Sequence, residues 1–359
     1  MRLALKELKY SWRRYALISI IVLLMMFMVL SLSGLVNGLG RAVSSSVESL
    51  DAQSFVLSDD SEKLLTVSNL SDHQYQEITK QVKGKTTSLD VLRTYIQTSN
   101  SDEKKDAVYF AIDPHGFLSP SKQLSKSKAV NPVVLDDAFQ EDGIQVGDHI
   151  KDASTGVVMT VCGFVSNQMY GHVAVVYMLS DTYASIMKEV NPQAYVKSYH
   201  AVAVQSGTPK IDVDGTSVYS KAEIINSIPG YRAEQSTITM VIWMLVIITA
   251  VIIGIFFYVI NLQKEKEFGV LKAIGTSMRQ LRQFILCQVL LIASTGAILA
   301  AILTQILCYV LPSSMPFYLN GRAEITILLA FILISLVGGL ISVRRVAKID
   351  PAMIIGGDN

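Results

Sequence analysis

The chain has 359 residues, half of them hydrophobic and only 17% charged, with a formal net charge of +1. The charges are excluded from a few long stretches, which is the pattern of a membrane protein. A near-neutral balance excludes a nucleic-acid binder, which needs a basic face. Cys162, Cys287 and Cys308 are not spaced as a disulfide framework or a zinc site.

Residues 1–15 read as a cytoplasmic amphipathic segment with Arg2, Lys6, Lys9, Arg13 and Arg14. From Ala16 to Gly40 no side chain is ionisable, and the run exceeds the roughly 20 residues that cross a ~30 Å hydrocarbon layer. It reads as a first span over 16–40. A cleavable signal would have an apolar core of roughly 7–15 residues and a small-residue cleavage site, and neither fits. Ala42 to Leu50 keeps helical character, so the span continues outward as a stalk.

Residues 41–235 are too many for a loop and enough for a domain. Short β-branched or aromatic runs at Ser54–Leu57, Ala107–Ile112, Val157–Val165, Val173–Met178 and Ala201–Val204 predict strands. Helical stretches at Ser71–Val82 and Ser180–Val190 alternate with them. The polar tract Ser119–Lys128 reads as a solvated loop.

Further spans are expected at 236–263, 283–311 and 325–343, with a short external loop at 312–324 and a cytoplasmic tail at 344–359. Lys and Arg cluster before the first span, in 264–282 and after the fourth. By the positive-inside rule both termini are cytoplasmic. The fold class is therefore a membrane protein of four transmembrane α-helices, with a mixed α+β extracytoplasmic domain inserted between spans one and two.

Ion-coupled carriers place Asp, Glu, His or Lys within their spans, and these spans hold none. A partner ATPase is the simplest remaining source of energy. The chain has no nucleotide loop of its own: Gly84, Lys85 and Thr86 spell GKT, but Thr79 stands where the first glycine belongs.

In Lys264–Leu281, KEKEFGVLKAIGTSMRQL, apolar Phe268, Leu271, Ile274 and Met278 recur at helical spacing among charges. An amphipathic helix is expected, broken at Gly275, Thr276 and Ser277. It either offers a face to a partner or lies passively on headgroups.

KEKEFGVLKAIGTS and RRVAKIDPAMII (Arg344–Ile355) resemble the cytoplasmic element and C-terminal signature of the FtsX/MacB-like permease family of ABC transporters. One span, a large ectodomain and then three spans is also that family's layout. The resemblance implies a homodimer carrying ATPase subunits on the cytoplasmic side of the bacterial cell membrane. The coupling helix would then comprise Glu265, Glu267, Phe268, Gly269, Leu271, Lys272, Ile274 and Gly275. No Ser, His and Asp arrangement or paired carboxylates point to catalysis by this chain, and no metal site or permanently bound cofactor is expected, with ATP held by the partner. Small-xxx-small spacing at Ala293, Ala297 and Ala301, at Ser335 with Gly339, and at Gly338 with Ser342 predicts close helix contacts, within or between subunits.

LLMMFMVLSLSGLVNGLGRAV and GFVSNQMYGHVAVVYM are similar to the haem-exporting members of the family. Haem would then be the transported substrate, collected from the bilayer between the first and second spans. Iron accepts Met, His or Tyr, and propionates accept Arg. The candidates are Met25, Met28, Arg41, Glu48, Tyr231, Arg232 and His172, with Met26 beside them. Each has a bland alternative as packing filler or headgroup anchor. The other histidines, His73, His115, His149 and His200, lack metal-ligand spacing. Two rivals keep the fold: export of peptides, antibiotics or other amphiphiles, and a non-transporting permease that activates a cell-wall hydrolase.

Overall fold

A computed structural model describes residues 7, 10, 12–98, 103–120, 122–193, 195–312 and 315–347. Most of the amphipathic lead segment and the tail signature from Lys348 to Ile355 lie outside the described residues. The chain divides into two compact units, one of residues 39–235 and one of the flanking segments.

Helix α1 (Trp12–Ser49) runs without a break from the charge-free stretch into the stalk. The domain that follows contains β1 (Ser54–Ser58), β2 (Leu70–Ser71), α2 (Asp72–Gln81), β3 (Thr86–Thr98), β4 (Lys105–Ile112), α3 (Lys122–Lys126) and β5 (Pro132–Asp136). Next come α4 (Ala138–Glu141), β6 (His149–Asp152), β7 (Val158–Val165), β8 (Met169–Tyr170), β9 (Val173–Leu179) and α5 (Ser180–Val190). The last elements are β10 (Ser198–Tyr199), β11 (Ala201–Val204), β12 (Thr216–Ser220) and α6 (Lys221–Ser227).

The main sheet runs β12-β1-β11-β3-β4-β9-β5-β7-β6, with β8 paired to β9. Strand β6 returns to β3 through Ile96 with Asp152 and Thr98 with Ile150, closing β3, β4, β9, β5, β7 and β6 into a ring. Pairs β4–β9 and β5–β7 are parallel within an otherwise antiparallel set. Strand β4 is buried on both faces: Val108, Phe110 and Ile112 enter one core, Ala107, Tyr109 and Ala111 another. A strand covered on both sides reads as a continuous apolar run, which is why it was legible.

Strand β3, the longest, was not expected, because Asp90, Arg93 and its threonines interrupt any apolar alternation. Its length comes from tertiary pairing, with β11 along Thr86–Leu89 and β6 along Ile96–Thr98. The GKT sequence leads into this strand, whereas a nucleotide loop leads into a helix. The tract at 119–128 departs from the solvated-loop expectation: it holds α3, whose Leu124 is 1% exposed and joins the core. Helix α2 starts where Ser71 and Gln74 form a reciprocal capping box.

Asp136 is buried at the end of β5, where its carboxylate accepts the Gln168 N–H at 2.5 Å and the Ala138 N–H at 3.0 Å. Burial pushes its carboxyl up to about 6, against the opposing pull of these two amides. The unfolded value is about 3.9, so between the two the folded state binds more protons and stability falls as pH rises. Melting from about pH 4 to pH 7 is expected to show this loss in the parent chain and a flatter profile in Asp136→Asn. Parallel profiles would rule the assignment out.

After the domain come α7 (Tyr231–Gln263), α8 (Glu265–Ala273), α9 (Met278–Val310) and α10 (Gly321–Ala347). Helices α1, α7, α9 and α10 are long and apolar enough to cross a membrane. They bury Met26, Leu30, Phe257, Ile285 and Phe331 in a common core. Gly254 and Gly338 place their Cα positions so that a Cβ on either would lie 3.6 Å from the other's backbone, and one on Gly339 would press Val289. Of the small-residue positions, Gly338 and Gly339 thus serve contacts within this chain. Gly38 abuts the backbone of Pro316, and the Tyr318 N–H donates to the Gly34 carbonyl at 2.9 Å, fastening the loop after α9 onto α1.

Helix α10 starts four residues before the expected span and takes Arg322 and Glu324 into its first turns. Uncharged polar groups do lie inside the bundle: Asn261, Gln288, Thr304 and Ser335 are buried.

Candidate functional site

The structure sorts the expected substrate residues into those facing inward and those facing outward. On α1, Met26 is fully buried in the helical core, Met25 is half-buried and Met28 is 50% exposed. Met28 belongs to an exposed apolar stripe with Leu17, Ile20, Leu24 and Leu35, spaced by threes, fours and a seven. This is one face of a helix. A thioether on it can meet a ligand, lipid or second subunit, whereas Met26 is packing material.

The remaining substrate residues lie at the root of the domain, where α1 ends and α7 begins. Glu48 is exposed and accepts the Ser44 hydroxyl at 2.8 Å, while Lys221 Nζ holds the Glu48 and Leu50 carbonyls at 3.1 and 2.6 Å. These carbonyls end a helix and have no intrahelical partner, so a cation there also meets the negative end of the helix dipole. Tyr231 is half-buried beside Ser44 and Glu48. Arg41 is half-buried and Arg232 is exposed.

His172 sits at the tip of the β8–β9 hairpin with φ +64°, following Gly171 at +55°. A non-glycine residue in the left-handed region is strained, and here its N–H is held by the Ala42 carbonyl at 2.9 Å. Its Nε2 lies 3.4 Å from Glu234 Oε1. The other oxygen of Glu234, Oε2, is buried without a hydrogen-bond partner among the described residues. Such a group carries a desolvation penalty that a ligand can relieve. Glu234 was missed in the sequence, where it is one acid in a polar run before a span. The five substrate residues at the root, Arg41, Glu48, Tyr231, Arg232 and His172, with Glu234, therefore offer acids, bases and a phenol around one helix junction.

The expected coupling segment forms α8, ended by Gly275 at φ +96° and separated from α9 by the Ser277–Gln280 capping box. Phe268 is 2% exposed and packs edge-on to Phe284 at 6.5 Å; Gly269 is buried, and Leu271 and Met278 pack on the same core. The apolar stripe read as a partner face is thus largely α8's anchor to its own bundle. The outward face carries Glu267, Val270, Ile274 and Gly275, with Ile274 73% exposed and Lys272 half-buried. Glu265 opens the helix. Lys264 just before it is buried and paired with Glu7.

Residues 239–351 match the family profile described as FtsX-like permease C-terminal. This stretch is an FtsX-like permease C-terminal domain. It is 29% identical over 357 residues to a hemin transport system permease protein, HrtB, of Staphylococcus haemolyticus, covering 99% of each chain. HrtB of Staphylococcus epidermidis gives 29% identity over 360 residues, again covering 99% of each. An uncharacterised ABC transporter permease of Mycobacterium tuberculosis is 28% identical over 152 residues, 42% of this chain and 43% of that one. With four helices long and apolar enough to cross a membrane, the chain is a multi-pass membrane protein.

Proposed function

We propose that this permease exports hemin from the membrane, as a homodimer powered by separate ATPase subunits docked under α8. The observation that carries the reading is the outward-facing thioether of Met28 on α1, in a chain similar end to end to relatives named for hemin transport. Basic residues flank the spans on one side, which supports cytoplasmic termini and an external domain. In this reading Met28 and Met25 meet the porphyrin or its iron on the apolar face of the helical unit. Within the domain, Arg41 and Arg232 are the groups suited to propionates, with Tyr231, Glu48 and His172 as further polar contacts. A dimer would bring the α1 stripe of one subunit against its partner.

The test is the visible spectrum of the purified permease with its ATPase after addition of hemin. A shifted Soret band and faster ATP hydrolysis are expected. An unshifted band, with hydrolysis stimulated by peptide antibiotics instead, would replace hemin by another amphiphile. Stimulation by a cell-wall hydrolase alone would replace transport by signal transmission.

A further inference from the structure

In the helical unit, the start of α1 and the junction of α7 with α8 enclose a polar cleft of about 580 Å³, within the roughly 300–1,000 Å³ of small-molecule sites. Tyr10, Trp12 and Arg13 line one part of it, and Gln263, Lys264 and Glu267 another. The membrane-crossing stretch of α1 begins at Tyr15 and that of α7 ends at Gln263. The cleft therefore lies where hydrocarbon gives way to headgroups, the level at which Trp and Tyr side chains concentrate. Trp12 and Tyr10 are both exposed.

The charges of the cleft are unevenly engaged. Lys264 is buried and paired with Glu7, and it also feels the charge of Glu267. One ammonium thus answers both carboxylates. Arg13 forms no ion pair among the described residues, and its guanidinium lies 5.8 Å from the centre of the Trp12 ring. It is the cation left for an anion from outside the chain. Residues 1–15 and 264–273 together carry eight basic and three acidic side chains, a field that draws anionic lipid to this face.

Arg13 is exposed and shares one face of α1 with Leu17, Ile20 and Leu24, at intervals of four, three and four. All three apolar side chains are more than half exposed. From Arg13 to Leu24 the helix rises about 16 Å, close to half of a ~30 Å hydrocarbon layer. An acyl chain hanging from a phosphate at Arg13 would lie along apolar side chains for its whole length. Met28 stands about 22 Å from Arg13 along the axis, beyond that chain's reach.

The geometry points to an anionic phospholipid, from the leaflet nearer the N-terminus, seated with its phosphate on Arg13 beside Trp12 and one chain along Leu17, Ile20 and Leu24. Guanidinium and phosphate make paired, charge-assisted hydrogen bonds. A soluble anion would leave the apolar face bare, and an ATPase surface would have to enter the headgroup layer. The continuity of the cation with the apolar stripe selects a lipid. This site is independent of the substrate the permease carries.

The chain has two tryptophans, so Trp243→Phe leaves Trp12 as the sole reporter. The full-length variant is placed in phosphatidylcholine vesicles with rising phosphatidylglycerol, one lipid or the other carrying brominated chains that quench indole fluorescence. Brominated phosphatidylglycerol is expected to quench Trp12 about fivefold more effectively per mole, the preference one basic residue gives at a membrane surface, and to saturate. Adding Arg13→Gln should bring the two lipids level. Arg279→Gln, at an exposed basic residue outside the cleft, should leave the preference intact. Equal quenching by the two lipids before either change, or equal losses from Arg13→Gln and Arg279→Gln, would replace the site by a diffuse surface field. A preference abolished by soluble glycerol phosphate or by the ATPase subunit would overturn it too, making the cleft a free-anion pocket or a partner's docking surface. Arg13 is exposed, so its variant is expected to melt with the parent; if it does not fold, saturable preference in the Trp243→Phe protein decides alone.

Discussion

Replacing Val270 and Ile274 together with Asp is expected to release the ATPase subunit from the permease while leaving the helical unit folded. Both side chains point away from the bundle, at 52% and 73% exposure, so no buried charge is created in this chain. A partner that buries them would have to desolvate two carboxylates, each costing several kcal/mol when unpaired, enough to remove detectable association. Co-purification and melting temperature are the readouts. Phe268→Ala provides the contrast: its ring is buried against Phe284, and its loss should lower stability by about 3–5 kcal/mol. If the ATPase remains bound to the Val270→Asp/Ile274→Asp protein, α8 is not its docking face.

The methionines should separate equally well. Met28→Ala removes an exposed thioether and is expected to cut hemin-stimulated ATP hydrolysis about tenfold, the effect of losing roughly 1.4 kcal/mol of binding, with an unchanged melting temperature. Met26→Ala empties a fully buried position and should lower stability by about 2–5 kcal/mol. Hemin titration and thermal unfolding measured on both proteins decide the matter. Equal stimulation of the Met28 variant and its parent would take this residue out of the substrate path.

These contrasts mark the boundary of what periodicity can report. The spacing of Phe268, Leu271, Ile274 and Met278 announced one apolar face, and α8 does have it. Which neighbour that face would meet was invisible, because α8's own bundle and a partner select the same residue types. The stripe divides: Phe268 and Leu271 turn in to the bundle, and Ile274 turns out. Likewise Met25, Met26 and Met28 are equivalent as letters, and only their positions around α1 distinguish a packing residue from an exposed one. Glu234 carried no local signal, since one of its oxygens meets His172, 62 residues away, and the other is buried by the fold.

What the sequence determined by itself was the set of elements that depend on local composition: four membrane-crossing helices, the strands that run apolar on both faces, and the uninterrupted passage of α1 into its stalk. Span length and transfer free energy are properties of a contiguous segment, so no partner has to be known. The tertiary structure alone decided the long polar strand β3, the closure of the ring through β6, and the keying of Ser45 to Met169 across 124 residues. Those features depend on which distant backbone groups meet. A hydrogen bond between remote residues stabilises a strand or a strap that neither segment would specify alone.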